Sequence, residues 1–170
     1  TYNGDTPAHL TQVKAETKDG GTWSSPTGLK TRATVDYTYC GDERYGDPGD
    51  LKTATITTPM TDDGVSAVQK TYYRYWEGAY NASTNPGYPH ALKLVVSPEG
   101  VRQYDWAGDS TFDDDEFTAS HDALKPYANA YFEYDSSHRI NKAWFQGQCG
   151  CSGAGTGTFE YRYETNGSVT

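Results

Sequence analysis

The chain has 170 residues, 23 Asp and Glu against 14 Lys and Arg, and a net charge of −9, with a pI near 4.7. Such a surface disfavours nucleic acid and anionic membrane as partners, and no apolar run approaches the roughly 18 residues of a membrane-spanning helix. Mean hydropathy is −0.83, yet 15 Tyr, 5 Phe and 4 Trp supply buried area through aromatic rather than aliphatic side chains.

The 18 glycines, with abundant Thr and Tyr and little Leu or Met, point to strands and turns. The chain opens on Thr1-Tyr2-Asn3-Gly4 and closes on Asn166-Gly167-Ser168-Val169-Thr170. Both ends read as turn and strand interiors. The expectation is one β-rich module over residues 1–170, a piece or repeat of a longer secreted chain.

A first strand is expected from Leu10 to Thr17, stopped by the Asp19-Gly20-Gly21 turn signal. Leu29 to Tyr39 alternates most clearly, with Val35, Tyr37 and Tyr39 on one face and Lys30, Arg32 and Asp36 on the other, the pattern of a half-buried strand. Strands are also expected at Leu51 to Thr58, Val68 to Trp76 and His90 to Ser97, the last turned by Pro98-Glu99-Gly100 into a strand from Val101 to Trp106. The β rhythm then breaks. Acidic residues from Asp113 to Glu116 suit a helix start, and Phe117, His121 and Leu124 recur at helical spacing before Pro126, which predicts one short helical segment near 114–125. An aromatic hairpin from Tyr131 to Trp144 follows, then a Gly-rich loop from Gln148 to Gly157 and a last strand from Thr158 to Thr165.

Aromatic-x-aromatic strand ends recur at Tyr37/Tyr39, Tyr73/Tyr75, Phe132/Tyr134 and Phe159/Tyr161, at intervals of 36, 59 and 27 residues. Each precedes a turn. Units of this kind bury their faces by stacking on neighbours, so the fold class expected is mainly β, built from antiparallel hairpin repeats in an extended sheet.

Within the best-formed unit, Asp135 opens the turn and Arg139 lies within reach of its carboxylate. The run Tyr131-Phe132-Glu133-Tyr134-Asp135 with Arg139 resembles the signature of YD-repeat (Rhs) proteins. The likeness extends loosely over most of Tyr72 to Thr165, through Tyr72-Tyr73-Arg74-Tyr75-Trp76, Asn85-Pro86-Gly87-Tyr88-Pro89-His90 and the Cys149-Gly150-Cys151 loop, as in large planctomycete YD-repeat proteins. It implies a spiralling antiparallel sheet, a secreted or cell-surface location, and adjacent YD repeats as partners. Some members enclose a toxin, but 170 residues are too few to form a shell. The turn glycine usual before the Arg is His138 here, which puts the turn type in question. Tyr134, Asp135 and Arg139 are thus expected to fix a turn, not to catalyse.

Other chemistry weighs less. Cys40, Cys149 and Cys151 are an odd set; a disulfide from Cys40 to one of the other two ranks ahead of reduced thiols, and structural zinc ranks last. Asp47 and Asp50 in one loop, and Asp113 and Asp115 in another, offer oxygen ligands for calcium without matching an EF-hand loop; no cofactor is expected ahead of that. The acidic run lacks the apolar walls a glycosidase pair needs. Aromatics also stack on glycans, so a carbohydrate-binding module is a rival, with Trp76 or Trp106 as its exposed platform. The leading expectation is a non-enzymatic extracellular structural module that extends or self-assembles through sheet edges, with further copies of itself as partners. A fragment of a toxin-enclosing shell is the other rival.

Overall fold

The computed structural model describes residues 9–22, 25–41, 45–59, 66–106, 119–146 and 156–163. The strands are β1 (Gln12–Thr22), β2 (Ser25–Tyr39), β3 (Leu51–Pro59), β4 (Ser66–Tyr75), β5 (Leu92–Val96), β6 (Ala130–Tyr134), β7 (Ile140–Gln146) and β8 (Thr156–Glu160). Helices α1 (Pro98–Trp106) and α2 (His121–Leu124), with a 3-10 turn at Lys125–Tyr127, separate β5 from β6. The fold is mainly β: an open antiparallel sheet whose strands follow chain order. Among the described residues no helix is long and apolar enough to cross a membrane. The chain divides into two compact units, Thr1–Tyr73 and Arg74–Thr170.

The first unit is a meander of hairpins. Gly20 pairs with Thr27, Gly21 with Pro26 and Thr22 with Ser25, so the Asp19-Gly20-Gly21 signal lies inside β1 and is not its end. Glycine lacks a side chain but keeps its backbone donor and acceptor, and the ladder continues through it. In the middle of the sheet Val35 lies between Val13 and Ile56, and the neighbouring Asp36 accepts from Gln12 Nε2 at 2.6 Å. The predicted alternation is interrupted once, where Arg32 is the extra residue opposite Ala15 and Glu16. Neither face is sealed. Val13 and Ile56 are 43% and 40% exposed on one face, and Val68 is 62% exposed on the other. Among the described residues of this unit only Cys40, Gly46 and Thr53 are buried.

The second unit has a core. Leu94, Val96 and Leu124 are fully buried, and Trp76, Tyr104, Ala119, Ala128, Tyr131 and Ala143 are nearly so. Its helices supply the second layer. Val101–Trp106, expected as a strand, is instead the body of α1. Ser97 Oγ accepts from the Gly100 N–H and Ser97 O from the Val101 N–H, which caps the first turn, and Pro98 stands where its missing N–H costs nothing. Glu99 then binds Arg102 and Gln103, one turn along, at 2.6–2.9 Å. Local pairs at helical spacing outweigh a short, ambiguous alternation. Gly100 lets α1 approach closely: a Cβ there would stand 2.3 Å from Tyr127 O. Tyr104 and Tyr127 meet edge to face at 5.3 Å.

The helix expected near 114–125 is described from His121 on, where Ser120 Oγ accepts from the Ala123 N–H. Residues 107–118 lie outside the described residues. The four aromatic pairs begin near the C-terminal ends of β2, β4, β6 and β8. Repetition is therefore by hairpin, one aromatic strand end to each pair of strands.

Candidate functional site

Three features of the second unit bring together the expected turn residues, exposed aromatic side chains and titratable groups in a cleft. At the hairpin from β6 to β7, Asp135 Oδ1 accepts from the N–H groups of Ser137 at 2.8 Å and Arg139 at 3.0 Å. Its Oδ2 takes Arg139 Nε at 2.8 Å and Nη2 at 2.7 Å. The Arg139 guanidinium holds the Asp135 carboxyl below its usual 3.8. His138 occupies the left-handed region at φ 63. Its ring stacks on Tyr88 at 3.6 Å, and Tyr88 in turn stacks on Tyr80 at 5.0 Å and donates to Asp135 O at 2.7 Å. The stack offsets the cost of a non-glycine residue in that conformation. Tyr134 donates to Leu92 O at 2.9 Å, and burial raises its hydroxyl above the usual 10.0.

The second feature is the edge of β8. Phe132, Ala143 and Phe159 are directly opposite across β6, β7 and β8, and Phe145 is two residues from Ala143, so all four share a face. Phe132, Phe145 and Phe159 form a row with centroids 5.9 and 5.7 Å apart. Phe145 and Phe159 are 38% and 53% exposed, and Tyr161 and Tyr163 are each 46% exposed. Among the described residues β8 has a neighbour on one side only. Arg139 covers the Tyr163 ring at 4.1 Å, and Tyr163 donates to Ile140 O.

The third feature is a cleft of about 440 Å³ whose walls include Trp76, Lys93, His121, Asp122, Tyr131 and Glu133. Trp76 does not offer the expected open platform for sugar. It is 3% exposed, its Nε1 donates to Phe132 O at 3.0 Å, and Lys93 Nζ covers its ring at 3.8 Å. An aromatic one residue past the end of β4 is drawn into the core because its face and its N–H both find partners there. The side chain of Trp106 lies outside the described residues. Burial lowers the Lys93 amine to about 8, and burial together with the charges of Lys93 and Arg74 lowers His121 to about 3. Burial also raises the Tyr131 hydroxyl. Lys125 Nζ lies 4.0 Å from the Tyr131 ring centroid and 4.3 Å from that of Trp144.

The remaining expected residues fall elsewhere. Cys40 is 6% exposed at the end of β2, where its N–H donates to Asp50 O. Asp50 Oδ2 accepts from the Asp47 N–H at 2.9 Å, and Asp47 O from the Asp50 N–H at 3.0 Å; these two acids close a turn on each other. Cys149, Cys151, Asp113 and Asp115 lie outside the described residues. The Lys93 cleft was missed at the level of sequence, although a lysine inside the apolar run from Leu92 to Val96 is its signal. No protein-family model, curated protein or solved structure matches the chain.

Proposed function

We propose that the chain is a non-enzymatic structural module of an extracellular or cell-surface YD-repeat protein, which extends a sheet into neighbouring repeats or further copies of itself. The observation that carries this reading is the β8 edge: among the described residues, a strand paired on one side, flanked by exposed Phe145, Phe159 and Tyr161. A strand edge with an apolar face is a template for another strand, because its backbone groups and its side chains both gain partners on pairing. The Asp135–Arg139 turn supports the same reading: its bonds run within the hairpin from β6 to β7, the strand on which β8 is paired. A contact between unlike edges gives a ring where its rotation closes, and where the interface does not close the product is a filament.

Light scattering over a range of protein concentration tests the proposal. Mass should rise with concentration, and Phe159→Lys, which puts a charge on the exposed row, should suppress the rise without altering the melting of the second unit. A monomer at every concentration, with no fibres by negative stain, overturns it.

A further inference from the structure

The cleft holds a primary amine in surroundings unlike those of a surface lysine. Lys93 lies in β5 between Leu92 and the fully buried Leu94, and its Nζ is held 3.8 Å from the Trp76 ring centroid. That ring, with Asp122 and Glu77, favours the ammonium; Arg74 and Lys125 oppose it, and burial opposes it most. His121 and Tyr131, which share the cleft, are both neutral near pH 7, since burial lowers the first to about 3 and raises the second. The amine is therefore presented on a rigid aromatic floor rather than on a mobile stem.

The cleft is of a size that admits a small polar molecule. Asp122 and Glu133 offer acceptors for hydroxyl groups, and Ser83 and Thr84 add hydroxyls to the lining.

We propose that Lys93 is a covalent attachment site for small hydroxyaldehydes, open-chain reducing sugars among them, that enter this cleft. The lone pair of the neutral Nζ attacks the carbonyl carbon, and the C=O π pair passes to oxygen. That oxygen takes the proton leaving nitrogen, giving a carbinolamine. Loss of water then forms the C=N bond, so amine and aldehyde yield imine and water with no oxidant or reductant. At about pH 7.4 roughly one fifth of an amine titrating near 8 is neutral, against roughly one thousandth for an ordinary lysine. A less basic amine is intrinsically less nucleophilic, which reduces this advantage to about tenfold in rate.

The test is reductive trapping on the full chain with glycolaldehyde and cyanoborohydride, read lysine by lysine through peptide mass mapping between pH 6 and 10. Lys93 should label about tenfold faster than the exposed Lys14 near neutral pH, with half its limiting rate near pH 8. Lys93→Arg should remove this fast phase and leave labelling at Lys14 unchanged. A Lys93 rate equal to or below that of Lys14, or one that climbs only near pH 10, overturns the proposal. The wild-type map decides this even if the variant fails to fold.

Discussion

The two units use one kind of strand and reach different states of packing. In Thr1–Tyr73 a β meander exposes apolar residues on both faces, Val13 and Ile56 on one and Val68 on the other. In Arg74–Thr170 a similar meander is interrupted by α1, α2 and the 3-10 turn, and the interruption supplies a second layer over Leu94, Val96 and Tyr131. A sheet alone hides one side of each strand only if something lies against it. The helical insertion, rather than the strands themselves, distinguishes a unit with a sealed core from one whose stability rests on its ladder and cross-strand pairs.

The largest test of this contrast is deletion of buried volume. Leu124→Ala should cost roughly 2–5 kcal/mol in the second unit, whereas Ile56→Ala, at a site 40% exposed, should cost about 1 kcal/mol or less. Denaturant unfolding followed by tryptophan fluorescence measures both, and equal losses would sink the comparison.

Glycine contacts give a second, smaller contrast. A Cβ on Gly87 would stand 2.0 Å from the Trp76 ring, while one on Gly41 meets nothing within 4 Å. Gly87→Ala should therefore destabilise by roughly 1–3 kcal/mol, as over-packing does, and Gly41→Ala should leave melting nearly unchanged. Calorimetry on the two variants settles the point.

Acid should act on the second unit through His121. Its folded value near 3 lies below the usual 6.5, so between these values the unfolded chain binds more protons. Stability then falls as pH drops from 6.5 toward 3, and is unaffected by this group above 6.5. The protection factors of β5 and β6 amides, taken against the intrinsic exchange rate at each pH, should fall over that window, and His121→Gln should flatten the dependence. Protection factors that stay constant across the window would exclude the role.

The smallest effect belongs to the Asp135 turn. Asp135→Ala should lower the melting temperature slightly, since its partner Arg139 is exposed and screened. The carboxyl's folded value lies below 3.8, so its contribution is complete above that pH and is lost as pH falls through the folded value. A variant that melts as the parent does at neutral pH would remove Asp135 from the list of turn-fixing residues.

Period-two patterning made β2 legible, and Thr-rich or aromatic runs between turn signals placed β3 and β4 to within a residue or two at each end. The Asp135–Arg139 spacing also disclosed its turn. What escaped detection depended on contacts distant in sequence. Trp76 reads as an exposed strand aromatic until Phe132 O, Gly87 and Lys93 are placed around it. His138 reads as a misfit in its turn until Tyr88 stacks on it from a loop some fifty residues earlier. The strand expected over Val101 to Trp106 failed for the opposite reason: its caps at Ser97 and Pro98 are local and visible, but Ser97 reads equally as a strand end and Pro98-Glu99-Gly100 as a turn.

The single extra residues at Arg32, at Lys52 opposite Thr38 and Tyr39, and at Asn141 opposite Glu133 and Tyr134 have a consequence for how such a chain tolerates change. Each is a one-residue shim that resets which side chains point inward, independently of the turn that joins the strands. Removing Asn141 would leave Ile140 opposite Tyr134 and Lys142 opposite Glu133 in unbroken pairing, keep Ala143 and Phe145 on their present face, and take out the local bend and added twist. With the phase of each hairpin set inside its strands, the connecting loops are left to lengthen or shorten, and units of unequal length can still stack in step.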